Sequence, residues 1–582
     1  MEKTIIPRPE HPEPMMQREN WQNLNGEWLF HTNPIGSAEK VMIEPFATAP
    51  YTQKILVPFC PQSKLSGIEN KDFMRMVWYK RIITFTEEQL KGRVILHFGA
   101  VDYEATVYIN GEKIGNHFGG YSSFKFDITD YAKVGENDLT LSAKDVMDNI
   151  PRGKQCHDSY NPYGCLYTRT TGIWQTVWLE FVPNAYIKTA KYYPDIKETA
   201  FDIELTLSKA GTVTVEATYE GKPVGSVTKE ADGNYLRLHL PLNEKHLWEP
   251  GHGRLYDLKL TLETENEKDV VSSYAGLREV ALDGFKFKLN GKSIFLRTVL
   301  DQGYYPDGIY TAPTDEDLKR DIEMSMEIGF NGARPHEKIF EPRYLYHCDK
   351  AGYLVWGEHA NWGLDINNGC GLLKFMPEWS EAVERDFNHP AIIGWCPFNE
   401  TGGQNSVTAR RILKAVYEET KRLDPTRPVI DTSGFCHVMT DIYDQHDYQQ
   451  NTEKFRESYI NYNGKQDSFK FDDSRKQIYI PDLPFYVSEF GGLKWVPESK
   501  KDSVPENAWG CGAPETEDAF FTRYEEFVAA LLEAPNIMGF CYTQLYDVEQ
   551  EVNGLYTYDR EKKFEDYSRI TAANTKKAAI ED

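Results

Sequence analysis

The sequence predicts a multidomain chain: a jelly roll or sandwich of β-strands, a second β block, and a C-terminal (β/α)8 barrel that carries the active site. Three observations predict it. The chain has 582 residues, too many for one hydrophobic core. As far as about residue 277, short runs alternate apolar and polar residues and are separated by turn pairs, the pattern of antiparallel sheets. From about residue 278 the pattern changes to short apolar strands alternating with amphipathic helices, which implies βα units around a parallel sheet. The boundaries expected from these changes are 1–185, 186–277 and 278–582.

The first block opens at Trp21-Gln22-Asn23-Leu24-Asn25-Gly26-Glu27-Trp28. Val77–Ile83 and Arg93–Phe98 read as strands, and Ala105–Ile109 runs into Asn110-Gly111, a strong signal for a two-residue hairpin turn. In the second block Phe201–Leu207, Thr212–Thr218 and Leu236–Leu240 alternate cleanly. In the third, Ser293–Arg297 is the expected first barrel strand. A helix should follow Thr314-Asp315-Glu316-Asp317, which is close to a capping box, with Leu318, Ile322 and Met326 on its inner face. Gly329–Arg334, Gly352–Glu358, Val429–Asp431 and Asp441–Asp444 are further strands. A helix carries Ile412, Leu413, Val416, Tyr417 and Leu423 on one face, another spans Phe520–Leu532, and Ile537–Tyr542 is the last strand.

Composition excludes several functions. The net charge of −24 argues against nucleic acid and anionic membrane as partners and weakly against polyanionic substrates. No apolar run is long enough to cross a bilayer. The amino terminus, Met1–Pro9, has neither the apolar core nor the cleavage site of a signal peptide. Nine cysteines without regular spacing read as reduced thiols, so a cytoplasmic location is expected. No Cys-x-x-Cys or His-Glu-x-x-His pattern supports a zinc site, and no cofactor is expected. A homo-oligomer is compatible with the chain.

Two stretches of the barrel carry chemistry. His389-Pro390-Ala391-Ile392-Ile393-Gly394-Trp395-Cys396-Pro397-Phe398-Asn399-Glu400 is a charge-free run ending on an amide beside a carboxylate, followed by a loop, Thr401-Gly402-Gly403-Gln404-Asn405. Leu483-Pro484-Phe485-Tyr486-Val487-Ser488-Glu489-Phe490-Gly491-Gly492 has the same order: Pro, apolar strand, Glu, glycines. A single Glu at a strand end is ordinarily just solvated. Two at the C-terminal face of one barrel are the equipment for glycoside cleavage, one donating a proton to the leaving oxygen and one remaining ionised.

With these motifs the chain resembles glycoside hydrolase family 2, which contains β-galactosidases and β-glucuronidases. Asn23-Leu24-Asn25-Gly26, the Val107–Gly115 hairpin and Gly172-Ile173-Trp174-Gln175-Thr176-Val177-Trp178-Leu179-Glu180 resemble the family's jelly-roll sugar-binding domain, and Leu247-Trp248-Glu249-Pro250 with Leu255–Leu258 resembles its immunoglobulin-like middle domain. The resemblance implies Glu400 as acid/base and Glu489 as nucleophile. It further implies Asn399 at the sugar 2-hydroxyl, Arg334 beside the nucleophile, and Glu358 as an acidic residue ending the third strand. His446 and Tyr448 both fit the position that touches the nucleophile. His336 is expected either to face a sugar hydroxyl or to cap its loop. Asp158, in Cys156-His157-Asp158-Ser159-Tyr160-Asn161, is a candidate for a jelly-roll residue reaching the pocket.

Three departures bear on the sugar. Where the large β-galactosidases carry Asn-x-His-Glu, this chain has Leu300-Asp301-Gln302-Gly303, so Asp301 is a candidate for a hydroxyl contact. In place of a tryptophan platform stands Tyr542-Thr543-Gln544, with Tyr542 a candidate stacking residue and Gln544 an amide donor. The Asn-x-Lys that grips a glucuronate carboxylate is replaced by Asn553-Gly554-Leu555. A buried carboxylate without a cation costs several kcal/mol, roughly, so a neutral, terminal, β-linked sugar is favoured. The expected reaction is β-galactosidase-like, exo-acting double displacement on a small oligosaccharide or glycoside. The alternatives are β-glucuronidase specificity with a cation such as Lys494, a β-mannosidase, an arabinopyranosidase, or a catalytically silent carbohydrate-binding protein.

Overall fold

A computed structural model describes residues 6–34, 51–145, 149–401, 406–469 and 478–582. Most of the loop expected after Glu400 (402–405) and the first five residues of the amino terminus lie outside the described residues.

The first block packs a four-stranded sheet (Trp21–Asn23, Val177–Val182, Arg93–Phe98, Phe124–Asp127) against a six-stranded one that includes Gly26–Pro34, Met74–Phe85 and Gly135–Lys144. Trp28, Phe30, Val77, Leu96, Phe98, Leu141 and Leu179 fill the space between them. The Asn110-Gly111 turn joins Glu104–Ile109 to Glu112–Phe118 with φ of 51° and 86°. Two successive positive φ values define the hairpin turn whose twist matches its strands, and glycine adopts the second without strain.

The second block is a sandwich of three strands (Ile187–Asp195, Ala200–Leu207, Tyr235–Pro241) on four (Gly211–Tyr219, Lys222–Ala231, Tyr256–Glu263, Lys268–Ala275). Its core comes from the alternating inward residues, such as Phe201, Ile203, Leu205, Val213, Val215, Leu258 and Leu260.

A short meander, Val280–Asp283, Lys286–Leu289 and Lys292–Ile294, precedes the barrel. The first barrel strand is therefore Leu296–Asp301, not Ser293–Arg297 as expected; the apolar run is broken at Phe295, where the last meander strand gives way to the barrel. Parallel pairing then runs in the order Ile392–Cys396, Leu354–Glu358, Gly332–Pro335, Leu296–Asp301, Ile537–Thr543, Phe485–Gly491, Tyr443–Asp447. The expected strand at Val429–Asp431 is reduced to isolated parallel bridges, Trp395 with Val429 and Asn399 with Ser433. It still fills the gap in the cylinder, because Ile430 N donates to Trp395 O (2.9 Å) and Asp441 N to Val429 O (2.9 Å). The helix Asp315–Glu327 begins with the capping box at Thr314 and Asp317, and Val407–Leu423 and Glu517–Glu533 cover the outside of the barrel. Among the described residues, no helix is long and apolar enough to cross a membrane.

Candidate active site

The C-terminal ends of the barrel strands converge on one buried polar cluster, and Arg334 is its hub. The guanidinium is 1% exposed. Nη1 donates to Glu489 Oε1 (3.0 Å) and Ser488 O (3.0 Å), Nη2 donates to Asn399 Oδ1 (2.9 Å), and Nε donates to Glu358. A fork of five N–H groups on one rigid plane can bind three strand ends at once, which a lysine could not.

Glu489 lies near the end of its strand, Phe485–Gly491, with both oxygens engaged. Oε1 meets Arg334 and lies 3.4 Å from His446 Nε2; Oε2 accepts from Tyr448 OH at 2.5 Å. Tyr448 OH in turn lies 3.1 Å from Thr543 Oγ1. Burial pushes this carboxyl up, but the charges of His446 and Arg334 outweigh burial and hold it below the ordinary range, so it is ionised. His336 contributes no charge, because burial together with Lys154 and Arg334 keeps its imidazole far below its usual value. Its Nδ1 lies 3.1 Å from Glu358 Oε2.

Glu400 follows Asn399 at a φ of 44°, a left-handed conformation that costs a non-glycine residue about 1–2 kcal/mol. A hydrogen bond from its N–H to Ser433 O (2.8 Å) secures it. Its Oε1 lies 2.8 Å from His446 Nδ1. Burial raises the Glu400 carboxyl, but the His446 hydrogen bond and charge, with Lys154 and Arg334 behind, bring it down to about 2.

His446 thus lies between the two carboxylates. Its Nε2 is 3.0 Å from Ser433 Oγ, and Ser433 donates to Asp444 Oδ2 (2.7 Å), which leaves the serine oxygen to accept. With both ring nitrogens facing acceptors, the imidazolium is the favoured form. Burial opposes it, but Glu489 and Glu400 raise the pKa above its ordinary value. Gly434 makes room for the ring: a Cβ there would sit 2.4 Å from the imidazole. Glu400, His446 and Glu489 each bring one donor atom within 4.8 Å of one another, a spacing that also admits a metal ion. The cation already beside Glu489 is Arg334.

Asn399 has Oδ1 on Arg334, while its Nδ2 is buried with no partner among the described residues. That donor is available to a ligand.

The remaining candidates divide. Glu358 is a buried rim carboxylate bridging Arg334 and His336. Asp301 is buried and accepts from Gly303 N (2.9 Å), Tyr344 OH (3.2 Å) and Tyr546 OH, so three of its roughly four acceptor sites are taken up by the protein itself. Gln544 is held between Gln302 Nε2 (2.9 Å) and Asn553 Oδ1 (2.8 Å). Tyr542 does not offer a stacking face. Its ring is fully buried against Phe490 and Tyr524, 5.5 and 5.0 Å away, because strand alternation turns it to the helix layer and turns Thr543 to the site. Asp158 is exposed and bonded to Tyr163 OH (2.8 Å). Lys494 donates to Ala508 O (2.7 Å), outside the cluster.

Four residues escaped the sequence reading. Ser433 and Trp362 come from segments with no periodic signal. Trp362 donates its indole N–H to Asn399 O (3.3 Å). Lys154 is the jelly-roll residue that reaches the barrel mouth, its ammonium 3.9 Å above the Trp362 ring. Glu551 is buried two residues before Asn553, whose Nδ2 donates to its Oε1 (2.9 Å), while Tyr167 OH donates to Oε2. Proximity to the Cys156–Asn161 and Asn553–Leu555 segments was the one sequence signal for the last two.

Comparison with known proteins agrees with this architecture. Three family profiles match: the family 2 glycosyl hydrolase TIM-barrel domain over residues 280–470, the family 2 galactose-binding-domain-like region over 62–175, and a family 2 glycosyl hydrolase domain over 185–278. A β-galactosidase of Thermoanaerobacter pseudethanolicus is 26% identical over 460 residues, 74% of this chain and 58% of that protein. A putative β-glucuronidase of Formosa agariphila is 26% identical over 368 residues, 60% of this chain and 44% of that protein. A β-glucuronidase of Pongo abelii is 26% identical over 464 residues, 73% of this chain and 70% of that protein. The chain thus spans about half the length of the first two relatives. The solved β-glucuronidase of Ruminococcus gnavus in complex with D-glucuronic acid superposes with a TM-score of 0.79 at 20% identity, over 98% of this chain and 100% of that one. That of Dictyoglomus thermophilum gives 0.76 at 20% identity, over 97% and 98%. A jelly roll, a sandwich and a barrel in this order, each matched by its own profile, place the chain in glycoside hydrolase family 2.

Proposed function

We propose that this chain is a retaining, exo-acting β-glycosidase that removes a terminal neutral sugar by double displacement. One observation carries the reading: a carboxylate oxygen of Glu400 and one of Glu489 lie within 4.8 Å of each other. Retaining enzymes hold the pair about 5–5.5 Å apart so that one carboxylate attacks the sugar, whereas inverting enzymes need about 6.5–9.5 Å to admit water.

In this reading Glu489, ionised by His446 and Arg334, attacks the anomeric carbon. Glu400 passes the proton it shares with His446 to the departing oxygen. The glycosyl-enzyme bond is then broken by water, which Glu400 deprotonates. Asn399 Nδ2, which has no partner among the described residues, bonds the 2-hydroxyl, a contact that strengthens as positive charge grows on the ring.

The choice of a neutral sugar rests on charge. Glu358, Glu400, Glu489 and Glu551 already face Arg334, Lys154 and His446, and burial pushes Glu358 and Glu551 up despite those cations. A sugar carboxylate would add one more anion beside Glu551, and Leu555 stands in place of the lysine that the family's Asn-x-Lys would supply. A glucuronide is the second reading, favoured by the names of several relatives.

Proton NMR of the anomeric signal in the first minutes of hydrolysis tests the mechanism. The β anomer should appear first from a β-glycoside. The α anomer appearing first would reject both the mechanism and the nucleophile.

A further inference from the structure

Lys154 and Glu551 are unusual among the charged residues of this molecule. They come from different domains, both are more than nine-tenths buried, and both feel the charge of Glu489. Lys154 stacks on Trp362, whose indole N–H is bonded to the carbonyl of Asn399. On its other side the backbone carbonyl of Lys154 accepts from Tyr167 N (2.7 Å), and the Tyr167 phenol bonds Glu551. Tyr167 therefore ties the lysine and the carboxylate to one rigid frame.

The ammonium itself has no hydrogen bond or ion pair among the described residues. Burial alone would push it down, but its neighbours Cys165, Glu551, Glu489 and Glu400 more than offset burial and keep it charged. A buried ammonium with unused N–H groups is costly unless something enters the pocket to meet it. Glu551 is complementary. Asn553 and Tyr167 each take one lone pair of its two oxygens and leave acceptor capacity free.

We propose that Lys154 and Glu551 act as a pair that reads one hydroxyl, or two adjacent hydroxyls, of the terminal sugar, the ammonium donating and the carboxylate accepting. The proposal rests on the glycosidase reading above and adds the residues that select the sugar. A hydroxyl is the one common sugar substituent that both donates and accepts, so it satisfies both partners at once. A sugar carboxylate would satisfy the lysine but would confront Glu551. The specificity determinant is then assembled across the domain boundary, the jelly roll supplying the cation and the loop after the last barrel strand supplying the anion.

The test uses the full chain with p-nitrophenyl β-glycosides of whichever neutral sugar it prefers, that sugar's 3-, 4- and 6-deoxy analogues, and the β-glucuronide. Wild-type protein should lose about a hundredfold or more in kcat/KM on one deoxy analogue, since a site built to bond a hydroxyl leaves buried charged groups unpaired without it. In Lys154→Gln the same analogue should lose less than about threefold relative to the parent sugar, because the parent has already fallen. Glu551→Gln, which keeps the shape and the bond from Asn553 and reverses the one to Tyr167, should erase the penalty for the same hydroxyl. Unchanged deoxy penalties in both variants would overturn the proposal. So would a wild-type preference for the glucuronide that vanishes in Lys154→Gln, which would make the lysine a carboxylate clamp. Wild-type protein inert on every β-glycoside would instead refute the glycosidase reading itself.

Discussion

Replacing His446 with glutamine should narrow the pH profile of catalysis from both sides, by an amount that follows from the geometry. In the native site Glu400 and His446 share a proton across 2.8 Å. The acid needed by the leaving group is present as long as that pair keeps its proton. The pair loses it as pH rises through the imidazolium's pKa, which Glu489 and Glu400 raise above the ordinary 6.5 against the effect of burial. Without the histidine, Glu400 carries the proton alone. It no longer feels the hydrogen bond and charge that bring it down to about 2, so it returns toward or above its ordinary 4.5, burial pushing it upward. The alkaline limb of kcat/KM should therefore move down by about 2 pH units, and at its ordinary 4.5 only about one Glu400 in three hundred is protonated at pH 7, a loss of about a hundredfold or more. The acid limb moves the other way, because His446 is also the strongest of the charges that hold Glu489 below the ordinary carboxylate range against burial. The assay is kcat/KM against pH with an alkyl glycoside, whose leaving group requires the proton, beside a dinitrophenyl glycoside, whose leaving group does not. The alkaline shift should be seen with the first and be absent from the second. An alkyl-glycoside limb that stays in place would show that the proton does not travel through this pair.

Other outcomes follow from the same arrangement. Glu489→Gln should lower turnover of every glycoside, activated ones included, by roughly a thousandfold or more, because an amide cannot replace the attacking oxygen; near-native rates from a folded variant would reject the assignment. Glu400→Ala should lose far more on alkyl than on dinitrophenyl glycosides, and azide should partly restore it by attacking the glycosyl-enzyme; equal losses across leaving groups would mean that Glu400 is not the acid. Asp301→Ala should leave KM nearly unchanged while lowering the denaturant midpoint, at a cost of about 1–3 kcal/mol for stranding the donors of Gly303, Tyr344 and Tyr546; a large KM effect would return Asp301 to the sugar site.

The sequence by itself determined the parts of this protein that depend on local periodicity. The Asn110-Gly111 turn, the Thr314 capping box and the apolar strand runs that lead to Glu400 and Glu489 depend on neighbours a few residues away, so they are legible in one dimension. The change from period-two alternation to βα units likewise announces the barrel. Tertiary structure decided which way each strand-end side chain faces and what it meets there. A shift of one residue moved Tyr542 into the helix layer and Thr543 to the site, and a one-residue break at Phe295 moved the first barrel strand three residues along the chain. Pairings across long sequence distances, Lys154 with Trp362 and Tyr167 with Glu551, leave no periodic trace, because neither partner constrains the other's neighbours. Charge was decided in the same way. An isolated Glu, His or Lys has its ordinary affinity for a proton, and only the folded barrel buries Glu400, His446 and Glu489 together so that each sets the protonation of the others.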